Sequence, residues 1–469
     1  MNMKGKKIIS MLMAASIAVI AMSGCAPSNS VNDKDEQGRT FITVGNWPAT
    51  EGDYLTRITK QKEEFEAANP DMAIVPDTWV FDLQSFYSKA AGGQLPGLYY
   101  ANFTEIEKIA AGGYYTDISK GIKRAGYEGA FDSRLMDLIS YDGEIVTFPT
   151  DFYATGMSYN VDLFEKAGLV DANGVALQPK TWDEVVEFAK IIKEKTGKNG
   201  FIVPTTNNYG GWLSTPLMWS YGVEFMKQND DGTYTATFDS PEMIAALKWI
   251  RDLKWEHHVI GDEALVTPDD SRRQFALGNV GMMMNLPKYK TLLNYEMPLE
   301  HIGAMAVPAG PVRHVTLTGG YCATVKDGSS EGQIDVAIKW LEKTGDGGKV
   351  TDQSKKDMET SFETKIANGD VVGLLGLSVF SNDSEYRKLE LELTEKYRNI
   401  DPKQVQLYND SLNDTSIELQ PEVPVCAQEL YGEIDKMIQQ ILTDENTDIA
   451  AMVKKANSDF QKNYLDNLN

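Results

Sequence analysis

Residues 148–164 read FPTDFYATGMSYNVDLF. A proline, an acid and two aromatics follow one another closely before a second strand-like run, Met157 to Tyr159, and a helix that Asn160 opens toward Leu163. Two readings compete for Asp151 and Tyr153. They belong to an ordinary loop between core elements, or to a passage of the chain where a small molecule is gripped.

Upstream, TFITVGNW reads as a short alternating strand, and a Glu51-Gly52-Asp53 turn leads into a helix with Leu55, Ile58 and Phe65 on one side. MAIVPDTWV is the next strand-like run, so the order is strand, helix, strand, the start of an α/β lobe. LPGLYYANFTEIEKIAAGGYYTDI repeats it: a strand through Leu98 to Tyr100, a polar corner at Asn102, and a helix stopped by Gly112-Gly113. Such a corner lies at the carboxyl end of a strand, where open α/β sheets bind ligands.

Downstream, KTWDEVVEFAKIIKEK has a capping box, Thr181 with Glu184, and a stripe of Trp182, Val185, Ala189 and Ile192. DSPEMIAALKWIRDL starts a helix near Pro241 with Met243, Leu247 and Ile250 inward, and RRQFALGNVGMMMNL gives a helix, a glycine stop and a buried strand. NDDGTYTATF reads as a hairpin turn, because Lys227 stands where a calcium loop needs an acid. Trp182, Trp249 and the methionines read as core. The last helices run around Leu430 to Leu442 and Ile449 to Leu465, and Gly345 to Asp357 reads as the flexible surface stretch.

With 469 residues the chain exceeds one comfortable core, so two or more lobes are expected. Its net charge of -23 repels phosphate backbones and argues against a nucleic-acid partner. Lys4, Lys6 and Lys7 precede an apolar run from Ile8 to Ile20, short of the roughly 20 apolar residues of a membrane span. This reads as an export signal, residues 1–24. Met22-Ser23-Gly24-Cys25 resembles a bacterial lipobox with Met22 where Leu is usual, which implies cleavage before Cys25 and lipidation of its sulfur. Residues 25–39 then read as a polar tether holding the folded body off the membrane. Cys322 and Cys426 could pair outside the cell, but two cysteines imply no disulfide framework, and the safer reading is two separate buried thiols.

Signatures of catalysis are scarce. None of the four histidines sits in HExxH or beside a GxSxG serine, and GDGGK lacks the spacing of a phosphate loop. What recurs instead is aromatics beside turn-forming polar residues: Asn46-Trp47, Asn102-Phe103, Asp151-Phe152-Tyr153, Gly211-Trp212 and Gly320-Tyr321. Flat faces near amides and carboxylates suit a sugar, whose ring has an apolar CH face and a rim of hydroxyls.

The ordered blocks LPGLYYANFTEIEKIAAGGYYTDI, TFPTDFYATGMSYNVDLFEKAGL, KTWDEVVEFAKIIKEKTGK, FDSPEMIAALKWIRDL, RRQFALGNVGMMMN and VPAGPVRHVTLTGGYCATV, with the lipobox-like start, resemble the family 1 extracellular solute-binding proteins of ABC importers, the group that includes maltose-binding protein. The resemblance implies a type II periplasmic-binding-protein-like α/β fold of two lobes, with hinge-crossing segments and a ligand cleft between them. Residues 40–151 plus 316–372 would form the N-terminal lobe, and 152–315 plus 373–469 the C-terminal lobe. It further implies a lipid-anchored, monomeric, extracytoplasmic receptor that captures a carbohydrate, expected to be an oligosaccharide, by hinge closure and passes it to a membrane permease. No cofactor, no metal and no chemistry on the ligand are implied.

Position by position, the resemblance places Trp47 and Glu51 at the first lobe's rim and Asn102 at the strand-end corner, next to Phe103 and Thr104. Tyr153 falls where maltose-binding protein has a cleft acid and Asp151 two positions earlier, so either contacts the ligand. Trp212 matches a stacking aromatic, Gly319 and Gly320 a loop whose backbone approaches the ligand, and Tyr321 adds a stacking face. Lys288, Tyr289, Glu422 and Tyr431 are further candidates. Convergence of Glu51, Asp53 and Asp151 keeps a cationic solute such as a polyamine open as an alternative. A surface-anchored glycan-cleaving enzyme and a sensor or adhesion protein on the same body stay open as well.

Overall fold

A computed structural model describes residues 33–285, 291–292 and 294–468 of the chain. The export signal, Cys25, Lys288 and Tyr289 lie outside the described residues. Among these residues no helix is long and apolar enough to cross a membrane.

The first sheet grows from the strand Thr40–Val44, whose Ile42 and Val44 are buried and whose alternation matches a half-covered strand. Met72–Pro76 and Leu98–Asn102 flank it in parallel. The eleven-residue strand Val315–Val325 then pairs antiparallel with Leu98–Asn102 on one side. Its other side takes Phe148–Ala154 antiparallel along Thr318 to Ala323, and Glu418–Gln420 parallel along Val315 to Leu317. The helices Asp53–Ala68 and Glu331–Thr344 cover this sheet, and the fully buried Trp340 meets Trp47 face to face at 5.9 Å and the edge of Phe65 at 5.7 Å. Each such pair contributes about 0.5–1.5 kcal/mol beyond the area it buries.

The second sheet has four strands in the order Ile302–Met305, Met157–Asn160, Val280–Met284 and Asn199–Ile202. Val280–Met284 is buried at every position, which fits its uninterrupted apolar sequence and a sheet covered on both faces. Trp182 at the head of the helix Trp182–Thr196 packs edge-on against Trp249 at 5.3 Å, so both tryptophans are core, as expected from their helical spacing.

Two apolar cores result, one around Ile42, Leu98, Phe148 and Trp340 and the other around Met157, Trp182, Phe201 and Ile438. The long strand feeds both: Val315 and Leu317 enter the second core, Cys322, Ala323 and Val325 the first. The chain therefore passes from one core to the other within Thr318 to Tyr321, and from the first sheet to the second between Ala154 and Met157. Threonines stitch the crossings: Thr316 Oγ1 donates to the Thr155 carbonyl at 2.8 Å, and Thr318 Oγ1 to the Tyr153 carbonyl at 2.7 Å.

Beyond residue 372, Leu377, Val379 and Phe380 pack into the first core, with Phe380 stacked on Phe131 at 5.9 Å. One expectation shifts. The stretch from Gly345 to Asp357 was expected to be a flexible surface segment, yet Thr351 and Ser354 form a capping box that starts the helix Asp352–Ala367. The Tyr127 hydroxyl also donates to the Gly347 carbonyl and pins the turn before it. Cys322 is a buried free thiol, whereas Cys426 is free and only half-buried.

Candidate functional site

Register builds the first wall of the site. In Phe148–Ala154 Phe152 points inward, edge-on to Phe103 at 5.9 Å, so period-two alternation turns Asp151 and Tyr153 outward. Tyr321 stands directly opposite Asp151 on one side and opposite Asn102 on the other. Three adjacent strands thus present Asn102, Tyr321 and Asp151 as an exposed row, with Tyr321 56% exposed and Tyr153 beside it 37% exposed. Burial pushes the Tyr153 hydroxyl up to about 12, with Glu422, Tyr321 and Asp151 adding to the shift.

Gly319 and Gly320 do not form the loop expected of them. They lie buried in mid-strand, and glycine is required by their neighbours: a Cβ on Gly319 would come within 2.4 Å of the Tyr153 hydroxyl, and one on Gly320 within 2.0 Å of the Asp151 carbonyl. Their absent side chains let the two crossing strands close and support Tyr153 from below. Trp47 is likewise taken up by packing, 6% exposed and stacked on Trp340, so its ring belongs to the first core rather than the rim. Glu51 is exposed ahead of the helix Asp53–Ala68 and joins no contact with the row.

The second wall is built by side chains. The helix Tyr209–Ser220 begins at Asn208, whose φ of 66° turns the chain sharply. Its first amides are held by Asp435, a buried carboxylate of the helix Ala427–Thr443 that accepts the N–H of Asn208 and of Gly211, each at 2.7 Å. Burial pushes Asp435 up while those amides pull it down. So anchored, Trp212 donates its indole N–H to Glu422 Oε1 at 2.8 Å and meets the edge of Tyr209 at 5.6 Å. Tyr431 lies beneath, 1% exposed, and its hydroxyl has no hydrogen-bond partner. Burial raises Glu422 above the usual carboxylate range, opposed by the Trp212 N–H, and the charge of Glu422 in turn acts on both Tyr431 and Tyr153. Glu422 therefore sits among three aromatic groups, one of them carried by the first sheet.

Asp346, which sequence reading missed, completes the first wall. Burial pushes its carboxyl up to about 6; the Thr344 hydroxyl at 3.1 Å opposes the shift, and Asp151 adds to it. Burial and then Asp346 also raise Tyr100. The residue stands in GDGGK, between Gly345 and Gly348, both with positive φ. An acid set in a glycine turn directly after a helix was the available signal.

Among the described residues, no group of three or more His, Cys, Asp or Glu side chains is placed to hold a metal. A cavity of about 530 Å³ lies elsewhere, beside the strand Asn199–Ile202, where Asp270 and Arg273 pair with each other at 2.6 Å. A place open between two walls is a cleft rather than an enclosed cavity, and its chemistry is that of its facing side chains.

A family model described as bacterial extracellular solute-binding protein matches residues 47–370. A binding protein of Brucella abortus (strain 2308) is 27% identical over 309 residues, 63% of this chain and 67% of that protein. The sn-glycerol-3-phosphate-binding periplasmic protein UgpB of Escherichia coli (strain K12) is 24% identical over 259 residues, 52% of this chain and 56% of its own length. Among solved structures, the cyclic alpha-maltosyl-1,6-maltose binding protein from Arthrobacter globiformis superposes with a TM-score of 0.60 at 19% identity, covering 91% of this chain and 100% of that one. At that identity the likeness is one of fold.

Proposed function

The chain belongs to the bacterial extracellular solute-binding protein family, and from that premise we propose that it captures a carbohydrate, an oligosaccharide, in the cleft between its two lobes and delivers it to an ABC permease. The single observation that carries this reading is the exposed row of Asn102, Tyr321 and Asp151 next to Tyr153, with Trp212 and Glu422 as the opposing set. An aromatic face takes the CH face of a sugar ring, while carboxylate and amide oxygens accept from its hydroxyls. The sugar bound by the Arthrobacter globiformis protein, whose fold this chain shares, supports the same class.

Closure would bring the Trp212 wall onto the strand row and exclude water from the polar contacts. The bound molecule is passed on unchanged. Export and a lipid on Cys25 would keep the receptor at the outer face of the membrane beside its permease; Cys25→Ala should release it into the medium, and retention at the membrane would refute the anchor. Titration calorimetry against a panel of oligosaccharides tests the ligand class, with saturable binding of at least one expected. Binding of a non-sugar nutrient alone would overturn it.

A cationic solute is the second reading, favoured by the acids near Tyr153, Asp151 on its own strand and Glu422 on the opposing set. It predicts an affinity that falls steeply with salt, whereas a neutral sugar is nearly indifferent to it.

A further inference from the structure

Among the described residues, the acids Asp346 and Glu422 take their hydrogen bonds from neutral donors. Asp346 accepts from Thr344 Oγ1 at 3.1 Å and Glu422 from Trp212 Nε1 at 2.8 Å, both neutral donors, while Asp151 stands exposed in the strand row. No basic group contributes to the environment of Asp346 or Glu422 among the described residues. Among the described residues, three cations near these elements are engaged. Lys108 pairs with Glu105 at 3.1 Å, Arg272 lies 5.7 Å from the centre of the Tyr209 ring, and Lys349 lies 4.3 Å from that of Tyr127.

A second, independent feature points the same way. Among the described residues the buried Tyr431 hydroxyl has no partner, and it lies in the electrostatic reach of Glu422 and Tyr153. An unpaired buried hydroxyl is costly, and it can either donate or accept. A ligand hydroxyl satisfies it in either sense and can at the same time donate to the free oxygen of a carboxylate.

We propose that the site selects by charge: it takes a neutral, hydroxyl-rich ligand and rejects the same ligand once it bears a carboxylate or a phosphate. This rests on the carbohydrate reading above and narrows it to neutral sugars, with amino sugars tolerated. A carboxylate side chain accepts hydrogen bonds but cannot donate them, so at Asp151, Asp346 and Glu422 the oxygens of an acidic ligand meet acceptors of their own charge. Like charges brought together in a closing, water-poor cleft repel far more than on an open surface. The acid excess of the whole chain would not do this, because exposed surface charge is screened within about 8 Å at physiological salt.

The test uses the mature protein and matched probes: neutral di- and trisaccharides, each with a uronate-ended, a phosphorylated and an amino counterpart, compared by calorimetry at one salt concentration. The neutral member of any pair that binds should bind at least tenfold tighter than its uronate or phosphate. Asp346→Asn and Glu422→Gln should each narrow that gap severalfold. Asp151→Asn, a change at an exposed position, supplies the same comparison where either of those variants folds poorly. Equal or tighter binding of an anionic member overturns the inference while leaving the carbohydrate reading intact. If no sugar binds, the carbohydrate reading and the charge rule that narrows it fall together; stabilisation by inorganic phosphate in thermal melting overturns the charge rule whichever sugars bind.

Discussion

The two walls of the cleft are made by different physics. Asn102, Tyr321 and Asp151 are set side by side by backbone register across three strands, so their spacing is a property of the sheet. Trp212, Glu422 and Tyr431 are set by side chains holding other side chains, resting on one buried carboxylate, Asp435. The contrast teaches where each wall is vulnerable. Truncating a side chain in the strand row removes a contact and leaves its neighbours in place, whereas truncation in the second wall moves them.

The strongest attempt to break this comparison is Asp435→Ala, which strands the amides at the head of Tyr209–Ser220. Unmet buried donors cost about 1–3 kcal/mol each, so urea unfolding should show a loss of about 3 kcal/mol. Asn102→Ala, an exposed strand-end change, should lose less than about 0.5 kcal/mol. Similar losses would mean the walls do not differ. Next in size, Trp212→Ala should weaken binding of whichever oligosaccharide the panel identifies by about 1–3 kcal/mol. An unchanged affinity by calorimetry would take the indole out of the site.

A smaller effect is expected at Asp346, where pH sharpens the picture. Its folded pKa is raised from 3.8 to about 6, chiefly by burial, so the folded state holds a proton that the unfolded state releases earlier. The stability this contributes is complete below about pH 4 and is lost as pH rises through about 6. Asp346→Asn has no such loss, so its advantage over the wild type should grow by about 2–3 kcal/mol between pH 4 and pH 7. A constant difference across that range in urea midpoints would contradict the burial of Asp346 among Asp151, Tyr100 and Tyr386. Smallest of all is Tyr431→Phe. The hydroxyl has no partner in the free protein, so the melting temperature of the unliganded variant should stay the same or rise, and a fall of several degrees would reveal a bond the free state makes.

Much of this was legible in the sequence because it is local. The alternation of Thr40–Val44, the stripe of Trp182–Thr196 and the helix start near Pro241 each depend on residues within a few positions, and the structure has them where the local sequence puts them. What escaped depends on distant neighbours. Trp47 looks like a rim aromatic by position, but Trp340, 293 residues later, claims its ring. Gly320 reads as an open loop until the Asp151 carbonyl is found where its Cβ would be. Asp346 hid in a turn dismissed for lacking a phosphate-loop spacing, because its partner Asp151 lies far earlier in the chain.

The long strand Val315–Val325 also governs the order in which the molecule can assemble. Leu98–Asn102 and Phe148–Ala154 are joined only through it, so the first sheet stays open along its middle until the ribosome has delivered residue 325. The middle of the chain, with the whole second sheet, is synthesised in that interval. Late closure of non-local strand pairs is slow and leaves edges exposed. Because one strand then completes both cores, the lobes should lose their structure in a single cooperative step rather than one after the other.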